Sequence, residues 1–88
     1  MADQETLLEF PCEFPIKVMG DAHADFTATM LEIVRQHVAG FDDSRVEMRP
    51  SSTGKYLSLT ITVTASSKPQ LDGLYRALSG HPMVKVVL

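Results

Sequence analysis

The chain has 88 residues, 8 of them basic and 11 acidic, with a formal net charge of −3; that length makes one domain with one thin core, and that charge excludes a surface built throughout to coat nucleic acid. Its 44% hydrophobic and 22% charged residues are the proportions of a globular protein. A single cysteine, Cys12, excludes an internal disulfide, and no apolar run reaches the roughly 20 residues of a membrane span, so a reducing cytoplasm is the expected location.

Residues 1–12 open acidic, with Asp3, Glu5 and Glu9, and lack the basic and apolar regions of a signal peptide. They are expected to form a flexible lead-in, with Leu7, Leu8 and Phe10 able to dock on the domain at 13–88. Phe14 to Met19 alternates as a first strand, with Phe14, Ile16 and Val18 inward and Lys17 and Met19 outward. Pro15 suits the start of that strand, where a missing ladder donor is tolerated. Gly20 and Asp21 break it, and Asp21 is the expected cap of a helix whose stripe is Phe26, Met30, Ile33, Val34, His37 and Val38, ending before Gly40.

An acidic loop, Phe41 to Ser44, leads to a second strand with Val46 and Met48 inward and Arg45, Glu47 and Arg49 outward. Pro50-Ser-Ser-Thr-Gly54 is turn chemistry and predicts a hairpin. The strand it feeds, 55–65, has the clearest pattern in the chain. Leu57, Leu59, Ile61, Val63 and Ala65 point one way and Tyr56, Ser58, Thr60, Thr62 and Thr64 the other, so the sheet has one dry face and one wet face. Ser67 to Gln70 matches a capping box with Pro69 in the first turn. Leu71, Leu74, Tyr75 and Leu78 form the stripe of a second helix, stopped by Gly80 and Pro82, and Val84, Val86 and Leu88 alternate with Lys85 and Val87 in a last strand.

The order β-α-β-β-α-β is the ferredoxin-like α+β plan: a four-stranded antiparallel sheet with both helices on one face. Leu7 to Pro11, Phe14, Lys17-Val-Met-Gly20, Pro50-Ser-Ser with Gly54 and Tyr56, and the closing Val84 to Leu88 resemble the YbeD-like family of small bacterial proteins over nearly the whole chain. The resemblance implies a ferredoxin-like fold akin to the ACT regulatory domain, and it brings no catalytic residues. An ACT-like domain holds a small effector at the loop after its first strand, often at a homodimer interface, which here points to Gly20 and Asp21. The plain alternative for Gly20 is a glycine that ends a strand and admits a turn.

Other functions of this architecture lack their residues. Thr53-Gly54-Lys55 joins two strands and has no glycine five residues earlier, so it is not a phosphate loop. Acylphosphatase chemistry needs an asparagine and the chain has none; copper chaperones need a Cys-x-x-Cys pair. His23, His37 and His81 have no ligand spacing, and His37 falls near an apolar stripe. Ser51 and Ser52 lack a nucleophile elbow, and Tyr56 is the only aromatic on the face that would stack RNA bases.

No cofactor, metal or catalytic set is therefore expected. What remains is charge. Lys17, Arg45, Arg49 and Lys85 all map to the open face, half of the 8 basic residues, with Glu47 as their one acidic neighbour among the 11 acids. Edge charges that discourage aggregation account for Arg45, Arg49 and Lys85; Lys17, on a central strand, is less easily explained so. The resulting expectation is a non-enzymatic regulatory or interaction module, monomeric or homodimeric. It binds either a small effector at Gly20 and Asp21 or an acidic protein through the cationic face, with Ser51, Ser52, Gly54 and Tyr56 at its rim. Weak nucleic-acid binding through the same face is the remaining alternative.

Overall fold

The alternation read at 55–65 becomes the spine of a four-stranded sheet in a computed structural model that describes residues 9–88. In chain order the elements are β1 (Cys12–Asp21), α1 (Phe26–His37), a 3-10 turn (Asp43–Arg45), β2 (Val46–Pro50), β3 (Tyr56–Ala65), α2 (Lys68–Ser79) and β4 (Val84–Val87). The sheet order is β2-β3-β1-β4, all neighbours antiparallel, which is the ferredoxin-like arrangement. Of the lead-in, residues 1–8, with Leu7 and Leu8, lie outside the described residues. Phe10 packs against the core, and Cys12 already pairs with Ala65 in the sheet.

The dry face is complete. Ile16 and Val18 of β1 and Leu59, Ile61 and Val63 of β3 are fully buried under Phe26, Met30 and Val34 of α1 and Leu74 and Leu78 of α2. The Lys17 N–H donates to Leu88 O at 3.1 Å, and Leu88 N–H to Lys17 O at 2.8 Å. Odd-numbered residues of β1 thus turn their backbone groups away from β3, and Pro15 is one of them, so its missing donor costs that ladder nothing. The Ser67 half of the capping box forms, its Oγ accepting from Gln70 N–H at 3.3 Å, while the Gln70 side chain reaches one residue further back to accept from Ser66 N–H and donates to His37 O. His37 is half-buried, its Nδ1 3.0 Å from Ile33 O.

Four local expectations change. Asp21 does not cap α1; it ends β1, paired with Tyr56, and the helix starts after Asp25. Gly20 does not break the strand. A Cβ there would lie 2.5 Å from Phe26 Cε1 and closer still to the Met83 carbonyl oxygen, so the missing side chain is what lets Phe26 and the α2–β4 loop close on β1. β4 does not alternate simply. Val18 pairs with Val87 and Met19 with Val86, but Gly20 pairs with Val84, so Lys85 is an extra residue in a bulge. Val84 and Val87 consequently pack on the core, while Val86 and Leu88 are 44% and 69% exposed. Arg45 also sits in the 3-10 turn and not on a strand.

Two pairs of substitutions test this arrangement by denaturant titration. Ile61→Ala is expected to cost about 2–5 kcal/mol, and Thr60→Ala, on the other face, under about 1 kcal/mol; equal losses would reverse the facing. Gly20→Ala is expected to destabilise by about 1–3 kcal/mol through overpacking. Gly73→Ala in α2 is expected to stabilise by up to about 1 kcal/mol, because its Cβ would meet only the His37 ring at an ordinary 3.6 Å.

Candidate functional site

The uncovered face of the sheet is set by register, since residues directly opposite in antiparallel strands share a side. Glu47, Thr60 and Lys17 form one row across β2, β3 and β1, with Leu88 continuing it; Arg49, Ser58, Met19 and Val86 form the next. Asp21 and Tyr56 lie beyond them at one end, Glu13 and Thr64 at the other. Threonine and serine hydroxyls along β3 keep the centre of the face polar while their β-branched or small side chains suit a strand.

The four cations of this face are not equivalent. The Arg45 guanidinium pairs with the Glu13 carboxylate and reaches Thr64 Oγ1 at 3.4 Å. The turn that carries it is fixed by Asp42, whose side chain accepts from Ser44 N–H at 2.9 Å; that bond holds the Asp42 carboxyl below its usual range. The cap is therefore in place above the ordinary carboxylate range and is lost as pH falls through the lowered value. Lys85 Nζ lies 4.0 Å from Asp21 Oδ2. Among the described residues, Lys17 and Arg49 form no ion pair.

Those two side chains border two adjoining hollows. One, about 610 Å³, is lined by Lys17, Glu47, Met48, Arg49, Ser58 and Thr60. The other, about 300 Å³ and more apolar, is lined by Lys17, Met19, Arg49, Ser51, Tyr56 and Ser58, with Pro50 beside them. The structure thus brings together Lys17, Arg49, Ser51 and Tyr56 from the expected set. Ser51 also builds the hairpin: its N–H donates to Tyr56 O at 2.9 Å and its Oγ accepts from Tyr56 N–H at 3.1 Å. Ser52 is exposed and Gly54 holds φ +76, both within the turn. Gly20 and Asp21 stand apart from these hollows, Gly20 buried beneath Phe26 and Asp21 beside Lys85.

Sequence reasoning did not place Glu13 or Asp21 on the open face; they bring its carboxylates to three, with Glu47, against four cations. The alternation that faced Lys17 outward, continued to 13 and 21, would have found both. Among the described residues no polar or charged side chain is buried, and no three of His, Cys, Asp and Glu group as metal ligands. Among the same residues no helix is long and apolar enough to cross a membrane.

Fold and face together define a ferredoxin-like α+β domain with one open, polar sheet surface. The family described as "Protein of unknown function (DUF493)" matches residues 5–88, and the chain belongs to it. A UPF0250 protein of Paraburkholderia phymatum is 61% identical over 96% of this chain and 94% of its own length. A UPF0250 protein of Bordetella pertussis is 59% identical over 97% of this chain and 93% of its own length. These are the YbeD-like proteins that the motifs pointed to. The solution structure of protein HP0495 from H. pylori superposes with a TM-score of 0.72 at 19% identity, covering 92% of this chain and 85% of that one. It shows the same fold.

Proposed function

We propose that the protein is a non-enzymatic interaction module whose open sheet face receives an acidic segment of a protein partner. The observation that carries this reading is the state of the four cations. Arg45 and Lys85 at the ends of the face have carboxylates of their own, while Lys17 and Arg49 line two shared hollows and have none among the described residues. A carboxylate entering between them meets two cations and the hydroxyls of Ser58 and Thr60, and Tyr56, 41% exposed, offers an apolar flank beside it. Three carboxylates on the same face favour discrete acidic groups over a continuous phosphate backbone, which draws on uniformly positive surfaces. A small effector beside Gly20 has less to support it, because Phe26 and Met83 already fill that side of the strand.

The test is affinity capture from a bacterial lysate with partners identified by mass spectrometry. Lys17→Glu, which leaves β2 untouched, is expected to weaken capture, and Lys17→Glu with Arg49→Glu to abolish it while circular dichroism and the unfolding midpoint stay near their original values. A doubly substituted protein that folds normally and keeps every partner would reduce these cations to edge protection. Loss of bound nucleic acid in place of protein, with a steep salt dependence, would transfer the face to phosphate binding.

A further inference from the structure

Among the described residues nothing pairs with the outer edge of β2, and its sequence is complementary to itself. Ser51 N–H donates to Tyr56 O, and the register runs unbroken through Arg49↔Ser58 and Glu47↔Thr60, so those residues direct their backbone groups toward β3. The alternate residues Val46, Met48 and Pro50 direct theirs outward. The Lys17–Leu88 bonds, two strands away, fix the same alternation independently.

We propose that two copies of this chain join edge to edge through β2, antiparallel and centred on Met48, into one continuous sheet. A two-fold pairing that matches outward groups and overlaps at least three residues of Val46–Pro50 has three registers. Centred on Glu47, it sets two carboxylates opposite each other. Centred on Arg49, it sets two guanidiniums opposite each other. Centred on Met48, it places Glu47 of each copy opposite Arg49 of the other, on the open face, twice. Like charges directly opposite destabilise a strand pair and opposite charges stabilise it, so charge selects the Met48 register.

The rest of the edge agrees. Met48 pairs with buried Leu59 and so lies on the helix side, yet it is 59% exposed. The core covers Val46 but leaves Met48 open, so each copy has a methionine for the other to cover. Backbone bonding would consist of two Met48–Met48 hydrogen bonds, with a Val46 N–H to Pro50 carbonyl bond at each end. Pro50, lacking an N–H, ends the ladder there. An interface this short belongs to the weak, concentration-dependent class. Arg49 has five donors, so pairing with Glu47 of a second copy leaves it donors for the hollow. The pairing does not depend on the partner proposed above, because it is measured on the protein alone.

Sedimentation of the purified protein from micromolar to millimolar concentration tests it. The expected result is a monomer–dimer equilibrium. Glu47→Arg alone and Arg49→Glu alone should each weaken the dimer about tenfold or more, since each sets like charges across the seam. The double exchange, Glu47→Arg with Arg49→Glu, should restore it, and so should mixing the two single variants. Met48→Pro should abolish the dimer without disturbing the β2–β3 ladder, because the Met48 N–H points away from β3. A monomer at every concentration would overturn the proposal. So would a dimer that ignores both single charge reversals, or a double exchange that folds, by circular dichroism, but stays monomeric.

Discussion

Every other feature is hung on the ladder between β1 and β3, which runs from Cys12↔Ala65 to Asp21↔Tyr56 without a break. It joins residues more than 30 positions apart, so its closure brings the two halves of the chain together. Its dry side sets Ile16, Val18, Leu59, Ile61 and Val63 as one apolar floor. Its parity then decides which backbone groups remain for β2 and β4, and so the register of both edges. Gly20 lies inside this ladder. By carrying no side chain it admits the Phe26 ring and the Met83 carbonyl, which ties the start of α1 and the approach to β4 to the same strand.

A sheet covered on one side must make its other side tolerable to water, and this one does so with hydroxyls and charges in different places. Threonines and Ser58 occupy the middle strand of the face, while charges occupy its margins and Lys17. Ion pairs close the two far corners, Arg45 with Glu13 and Lys85 near Asp21. Exposed pairs of this kind contribute little to stability. Their effect is on the surface itself, since they cancel charge at the ends and leave Lys17 and Arg49 as the uncancelled pair between.

The fold was legible because it depends on pattern and not on particular residues, as the 19% identity with HP0495 at the same fold shows. Period-2 alternation at Leu57 to Ala65 and the stripes Phe26–Met30–Val34 and Leu71–Leu74–Leu78 suffice to give the elements and their buried faces. The cap at Ser67 was legible because its chemistry is local. What escaped depends on neighbours in space. Val86 and Val87 exchange faces because a bulge opposite Met19 and Gly20 inserts Lys85, and nothing within Val84 to Leu88 records that shift. Gly20 reads as a breaker until Phe26 is seen against it. In the face itself Lys17 and Arg49 followed from alternation, whereas the neutralisation of Arg45 required the 3-10 turn to place it beside Glu13.

The two edges of the sheet are handled by different means, and the difference bears on what each can meet. β4 is short and bulged at Lys85, so it offers an added strand an irregular edge. Bulges and an edge lysine are ways to stop sheets from growing. β2 carries no bulge in its pairing with β3. Its deterrents are Pro50 and two charges, and the charges have opposite sign, Glu47 and Arg49 flanking Met48. A run of one sign repels every copy of itself in every register. An alternating pair repels in two registers and attracts in the third, so it restricts the approach of a second β2 to one geometry without forbidding it. The edge that evolution left regular is thus also the one whose charges discriminate among registers, and Pro50 limits how far any pairing there can extend.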